Sequence, residues 1–249
     1  MQATQMWDFF MTNITTQILE SAGTHFGYSR TRRHPTALPF LGTVKERIDM
    51  FNIDNTNDRL TAASTFVSNL AQAGKTVLFV GGKNEVQAIV RAAAERAGQP
   101  YVAGRWIGGT LTNFKNIRTR LDLLERLSGE RDRGELGKYT KKERLMIDRQ
   151  IDKLISRFGG IAHMGSLPAA LFVVDTRHEH IAVREANQLN IPVVGLASSD
   201  CDFSVIQYPI PGNDTSVRSV RTVSDAVSES YQDGKRAAPA AQPAASVTA

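Results

Sequence analysis

Two hydrophobic periods take turns along this chain. Leu60, Ala63, Phe66, Val67 and Leu70 recur at steps of three and four and predict one apolar helix face, which Asn55, Thr56 or Asn57 can cap and Gly74 ends. Residues 76–80 form an unbroken, largely β-branched and aromatic run, the pattern of a strand buried on both sides. Gly81-Gly82 then turns the chain into a helix over 84–97, closed by Gly98, and 101–103 reads as a short strand. The same alternation resumes later, with strands over 170–174, 192–197 and 205–209. A helix over 178–189 and a last one over 213–231, capped by Asn213 or Asp214, follow the first and third of these. Strand–helix alternation of this kind predicts an α/β domain, a parallel sheet with helices on both faces.

The chain between these blocks follows a different pattern. Phe114, Ile117, Leu121, Leu124 and Leu127 make one narrow apolar seam, and Ile147, Ile151, Leu154 and Phe158 make another. Gly129, Gly134 and Gly137 lie between them, and Thr140 with Glu143 spells a capping box at the second helix start. Two seams joined by a turn predict an antiparallel coiled-coil hairpin over 111–157. It is inserted into a discontinuous α/β domain of 15–110 and 158–232, and its polar outer faces predict that it protrudes. Upstream, Thr15 or Thr16 can cap a short helix that Gly23 stops. Pro35 and Pro39 exclude regular helix, and extended segments around 40–43 and 49–53 suggest a hairpin. Residues 1–14 read as an N-terminal extension without clear period, with Met11 as a second candidate start. Residues 233–249 read as a disordered tail, composed from 237 onward of Ala, Pro, Gln, Ser, Val and Thr alone.

Charge changes the picture only once it is located. The 249 residues carry a net charge of +5. Residues 104–157 hold 14 Lys and Arg against 8 Asp and Glu, and the remainder holds 16 against 17. The basicity of the protein is therefore the basicity of this segment, with a smaller cluster at Arg30, Arg32, Arg33 and His34. A solvated helix surface with mixed ion pairs is one reading of such a segment, and contact with a polyanion is the other. The single cysteine, Cys201, forms no internal disulfide and no thiolate zinc site, which suits a reducing compartment, cytosol or organelle matrix. No apolar run approaches the ~20 residues of a membrane helix.

Candidate chemistry gathers at three places. Arg105-Trp106 precedes Gly108-Gly109 and the start of the basic segment. Trp106 reads first as a packing residue and second as a platform for a base, with Arg105 forked towards phosphate oxygens. Gly81-Gly82-Lys83 stands where α/β proteins bind phosphates, but neither the dinucleotide fingerprint nor the Walker spacing is present, so a plain strand-to-helix turn is the better reading. Asp175, His178, Glu179 and His180, with Asp200 and Asp202 after the next strand, could converge at one sheet edge as an enzyme site with Gly81. Against that, Asp175 and His178 can satisfy local amides, and no nucleophile or full ligand set accompanies them.

Several stretches, in order, resemble the small-subunit ribosomal protein S-two family. They include Ala22 to Gly27, Val77 to Gly81, Arg105 to Phe114, Thr140 to Glu143, Leu167 to Asp175, His178 to Ala182, Glu185 to Asn187 and Ile210 to Asp214. Tyr28-Ser29, Arg33-His34-Pro35 and Asp54-Asn55-Thr56 depart from the usual pattern. The resemblance spans roughly 15–230 and is closest to bacterial or organellar members. It implies a flavodoxin-like parallel α/β fold with an inserted coiled-coil hairpin, and a non-catalytic structural role in translation. It implies small-subunit rRNA and neighbouring ribosomal proteins as partners, including the OB-fold protein S-one if bacterial. No cofactor, no metal, no membrane and no homo-oligomer are expected. The residues expected on rRNA are Arg30, Arg32, Arg33, Arg105, Trp106, Lys115, Arg118, Lys141 and Lys142.

Overall fold

Alternating side chains on the central strands decide the layering of this protein. In the computed structural model, which describes residues 16–238, Leu78 and Val80 point to one core while Val77 and Phe79 point to the other. Both sets are fully buried, which is why the strand reads as unbroken apolar sequence. The strands β4 (Val77–Val80), β5 (Tyr101–Val102), β6 (Ala170–Val174), β7 (Val193–Ala197) and β8 (Tyr208–Pro211) form one parallel sheet in the order β5-β4-β6-β7-β8. Numbered by appearance, that is 2-1-3-4-5, a doubly wound order shared with flavodoxin-like proteins.

Helices cover both faces. On one, α2 (Ile53–Gln72), α3 (Asn84–Ala97) and α7 (Val217–Ala237) pack over Val77, Phe79, Phe172 and Leu196, and the short α1 (Thr16–Ser21) adds Leu19. On the other, α6 (His180–Gln188) and the pair α4 (Phe114–Asp132) and α5 (Lys141–Phe158) belong to the core of Leu78, Val80, Leu171 and Val173. The two predicted seams meet: Ile117, Leu121, Leu124 and Leu127 of α4 are buried, as are Ile151, Leu154 and Phe158 of α5. The cluster they form does not stop at residue 110. It runs through Leu111, Trp106 and Ile161 into the sheet core. The helical pair is thus fused to the domain at its base.

A small antiparallel sheet, ordered β1-β3-β2, precedes α2: β1 (Phe26–Ser29), β2 (Leu41–Lys45) and β3 (Ile48–Phe51). The β2–β3 hairpin matches expectation. Strand β1 does not show in the sequence, because its four residues, Phe-Gly-Tyr-Ser, do not alternate. This sheet docks on the loop after β7, where the Tyr28 N–H donates to Ser199 Oγ at 2.8 Å and the His34 N–H to the Ser199 carbonyl at 2.8 Å.

Four boundaries shift for identifiable reasons. Asn52, rather than residues 55–57, caps α2, its Oδ1 accepting from the Asp54 and Asn55 N–H groups. The strand expected over 205–209 is β8, at 208–211, because Asp202 caps a 3-10 turn over Phe203–Val205 first. Helix α7 starts at Val217, since Asn213 Oδ1 accepts from the Thr215 and Ser216 N–H groups and holds a turn ahead of it. The same helix continues to Ala237, so residues 233–237, expected to be tail, are helical and close on α2. Residues 1–14 and the tail beyond 238 lie outside the described residues.

Gly234 makes that last closure possible: a Cβ there would run into the Ser68 carbonyl oxygen and the Ala71 side chain of α2. Helix propensity alone favours Gly234→Ala by about 1 kcal/mol. Overpacking of about 1–3 kcal/mol opposes it. Denaturant unfolding is expected to show Gly234→Ala less stable than wild type, and Gly137→Ala, which meets nothing within 4 Å, near neutral.

Candidate nucleic-acid interface

One carboxylate shapes the approach to the basic segment. Glu185 lies on α6 and is 6% exposed. Its Oε1 accepts from the Trp106 indole N–H at 3.1 Å and the Gly109 N–H at 2.7 Å. Its Oε2 accepts from the Leu111 N–H at 3.0 Å, the Thr112 N–H at 3.1 Å and the Thr112 hydroxyl at 3.1 Å. Gly109 holds φ +89°, a left-handed conformation open to glycine, which lets these N–H groups turn inward together. Burial pushes the Glu185 pKa up, but the N–H groups of Gly109, Thr112, Trp106 and Leu111 outweigh it, and the net direction is below the ordinary carboxylate range. Asn113 occupies the cap position of α4 but makes no side-chain capping bond, and Glu185 holds the loop immediately before it.

This arrangement decides between the two readings of Trp106. Its side chain is 7% exposed and its N–H is spent on Glu185, so it packs and offers no face to a base. Arg105, one residue earlier, is exposed, without a carboxylate partner among the described residues.

The other expected cations divide in two. Arg33 is committed: its guanidinium forks onto the buried Asp49 carboxylate, which raises its pKa further. Arg118 is engaged by Asp122 at 2.8 Å and Glu125 at 3.3 Å, and its Nη1 donates to the Met164 carbonyl. Arg32 stacks on Tyr28 at 4.6 Å and lies 3.6 Å from Asp200. Arg30, Lys115, Lys141 and Lys142 are exposed and have no carboxylate within 4.0 Å among the described residues. Of the 14 cations in 104–157, Arg118, Arg126, Arg131 and Arg133 are paired with acids. Lys141 and Lys142 open α5, at the positive end of its dipole, where a cation costs about 0.3–1 kcal/mol. The Thr140–Glu143 capping box offsets that locally. Helix stability gives no reason for lysines there.

At the C-terminal sheet edge, most of the residues considered for an enzyme are engaged by protein groups, Glu179 by His178 and Gly82, Asp200 by Arg177 and Arg32, and Asp202 by Ser204 and Thr36, while His180 is exposed. Asp175 Oδ1 accepts from the Arg177 and His178 N–H groups at 3.1 and 2.9 Å. Lys83 bridges Asp175 and Asp214. Burial works to lower the Lys83 pKa, but the Asp175 hydrogen bond and both carboxylate charges overcome it and move it up. Burial and the Asp175 charge push Asp214 up to about 6. Burial, then the Asp214 charge, pushes the Cys201 thiol up to about 12, leaving no thiolate nucleophile. Asp175, Cys201 and Asp214 each bring one ligand atom within 4.8 Å of the others, but the Lys83 ammonium already bridges the two carboxylates. Where a phosphate would sit on the Gly81-Gly82 turn, Glu179 Oε1 accepts the Gly82 N–H at 3.0 Å. The plain-turn reading of Gly81-Gly82-Lys83 is the one the geometry supports.

Sequence reasoning does not single out Glu185 as an organiser. The signal it carries is an acid at a position of α6 that packs inward between Ala182 and Ala186. Replacing it by Gln sets an amide NH2 against N–H donors and is expected to cost about 2–3 kcal/mol at neutral pH. Because the folded pKa is depressed, the stabilisation is present above the unfolded carboxylate pKa and is lost as pH falls through the folded one. Unfolding curves for wild type and Glu185→Gln should therefore converge as pH falls from 7 towards 3. A gap that stays constant would exclude this role of the charge.

Comparison with known proteins comes to the same place. The family described as "Ribosomal protein S2" matches residues 19–234. The chain is 40% identical to "Small ribosomal subunit protein uS2" of Coprothermobacter proteolyticus over 90% of this chain and 84% of that protein. It is 41% identical to the protein of that name from Roseiflexus sp., over 89% and 85% respectively. It is 40% identical to the one from Hahella chejuensis, over 90% and 88%. With the fold, the fused helical pair and this match across most of its length, the chain belongs to the ribosomal protein S2 family.

Proposed function

We infer that the chain is a structural constituent of the small ribosomal subunit, holding small-subunit rRNA through backbone phosphates rather than catalysing a reaction. Membership of the family carries the reading. The geometry supports it in a specific way: Arg30, Arg105, Lys115, Lys141 and Lys142 stand exposed without acidic partners among the described residues, while the edge that would serve an enzyme is filled by the protein's own side chains. Residues 111–157 act in this reading as an inserted coiled-coil arm on a flavodoxin-like domain. Folded RNA would be recognised by shape and phosphate spacing. Arg32 contributes through the face it does not give to Tyr28. Arg33, Trp106 and Arg118 hold the scaffold from which their neighbours reach.

Neighbouring ribosomal proteins are the second class of partner. The relatives named above are bacterial, which favours the OB-fold protein S-one as one neighbour and the cytoplasmic ribosome over an organellar one. The chain enters the particle as a single copy. No helix among the described residues is long and apolar enough to cross a membrane.

The test is association with small subunits lacking this protein, followed by gradient sedimentation across a salt series. Wild type is expected to bind with log K falling linearly against log salt. Replacing Arg105, Lys115, Lys141 and Lys142 by Ala should lower the slope by roughly 0.7–0.9 for each phosphate no longer neutralised. Unchanged affinity and slope would remove these residues from the interface.

A further inference from the structure

Beside the closed turn at Gly82 lies a space that is not closed. The loops after β6 and β7, helix α6 and the Arg30–Arg32 turn enclose a cavity of about 870 Å³, within the range of small-ligand sites. Four arginines line it: Arg33, already committed to Asp49, and Arg32, Arg177 and Arg184. One acid serves two of them: Asp200 Oδ2 lies 3.6 Å from Arg32 and 2.5 Å from Arg177. Arg184 has no carboxylate within 4.0 Å among the described residues. The other acid on the wall, Asp202, has Oδ1 engaged: it accepts from the Ser204 N–H at 2.9 Å, the Ser204 hydroxyl at 2.7 Å and the Thr36 hydroxyl at 3.3 Å, and His34 lies 4.0 Å away. The wall keeps a surplus of cation. Val183 and Val205 give it an apolar side, and His180 adds an aromatic ring.

We propose that this cavity takes one unstacked nucleotide of single-stranded RNA, with its base between the valines and the guanidinium planes and its phosphate on Arg177 and Arg184. The chemistry selects that ligand. Arginine forks pair with phosphate oxygens bidentately, and their planar faces accept a base. An apolar side next to a cationic one suits a ligand that is flat and uncharged at one end and anionic at the other. A bare oxyanion leaves the valines unused, and an acidic peptide leaves the planar faces unused. The cavity opens beside Arg30 and Arg32, so a strand following the proposed rRNA surface passes its mouth. The inference rests on that reading of the protein as an rRNA binder, and it adds a pocket and three residues, Arg177, Arg184 and Val205, not otherwise implicated.

The probe is a dye-labelled single-stranded hexaribonucleotide of mixed sequence, titrated into the full chain and followed by fluorescence anisotropy at several salt concentrations. Arg177→Ala with Arg184→Ala is expected to weaken binding about tenfold and to flatten the salt dependence by roughly 0.7 for each phosphate left without its cation. Val205→Trp fills the space without touching charge; Val205 is 36% exposed, so the fold tolerates it. It should weaken binding by a similar factor with the salt slope unchanged. Wild-type affinity in both cavity variants overturns the proposal. So does an acidic peptide, oligoglutamate, that binds more tightly than the hexamer and is released by the same substitutions. A wild type that joins subunits but ignores the hexamer sinks the cavity and leaves the ribosomal role standing. A wild type that does neither sinks both.

Discussion

A buried carboxylate with five hydrogen-bond donors around it is the constraint from which the rest of this architecture follows. Taking a carboxylate out of water costs several kcal/mol unless its oxygens are satisfied. Glu185 is satisfied only if residues 106–112 adopt one conformation, since its donors come from Trp106, Gly109, Leu111 and Thr112. That loop leads straight into α4. The direction in which α4 leaves the sheet, and with it the placing of Arg105 and Lys115, is set by a side chain of α6, a helix packed on the sheet face. Under the proposed function, in which these cations meet rRNA phosphates, rigid placing matters. A cation on a floating loop loses in ordering entropy much of what its charge gains.

The second constraint works by exclusion. Doubly wound sheets commonly take ligands at the C-terminal ends of their strands. Here Glu179 occupies the amide of Gly82, and Lys83 sits between Asp175 and Asp214. The fold keeps the shape of an enzyme site and fills it with its own charges. Asp175 even holds φ +62°, an uncommon conformation for a residue with a Cβ, and its carboxylate closes the following turn through the Arg177 and His178 amides. A cluster so filled serves to join the end of β6 to the starts of α3 and α7. The cations free to meet a partner lie outside it.

Much of this is legible in sequence where one period dominates. The five apolar residues of β6 and the single face of α3 can be read directly, as can the seams of α4 and α5, because each buries a set of side chains that repeats. The capping box at Thr140 is legible because both of its halves are local. The small strand β1 is not, since it is held by β3 and by Ser199, partners distant in sequence. The commitment of Arg33 to Asp49 and of Trp106 to Glu185 is invisible for the same reason: a charge count cannot say which cations are already answered. Sequence locates the basic segment, and only the fold separates the arginines answered by acids, such as Arg118 and Arg133, from exposed cations such as Arg105, Lys115, Lys141 and Lys142.

The chemistry of the two cations bears on part of that separation. Arginine forks onto a carboxylate or stacks on a ring at Arg33 on Asp49, Arg118 on Asp122 and Glu125, and Arg32 on Tyr28, while Arg30 and Arg105 stay exposed. Lysine appears at the start of α5, at Lys141 and Lys142, where a compact, hydrated charge loses little by waiting in solvent. The apolar seam that joins this pair to the sheet core lets the waiting charges stand on a fixed base. Affinity in such a design comes from many small phosphate contacts at preset spacing. It therefore depends more on the stiffness of the seam and of the Glu185 loop than on any one cation.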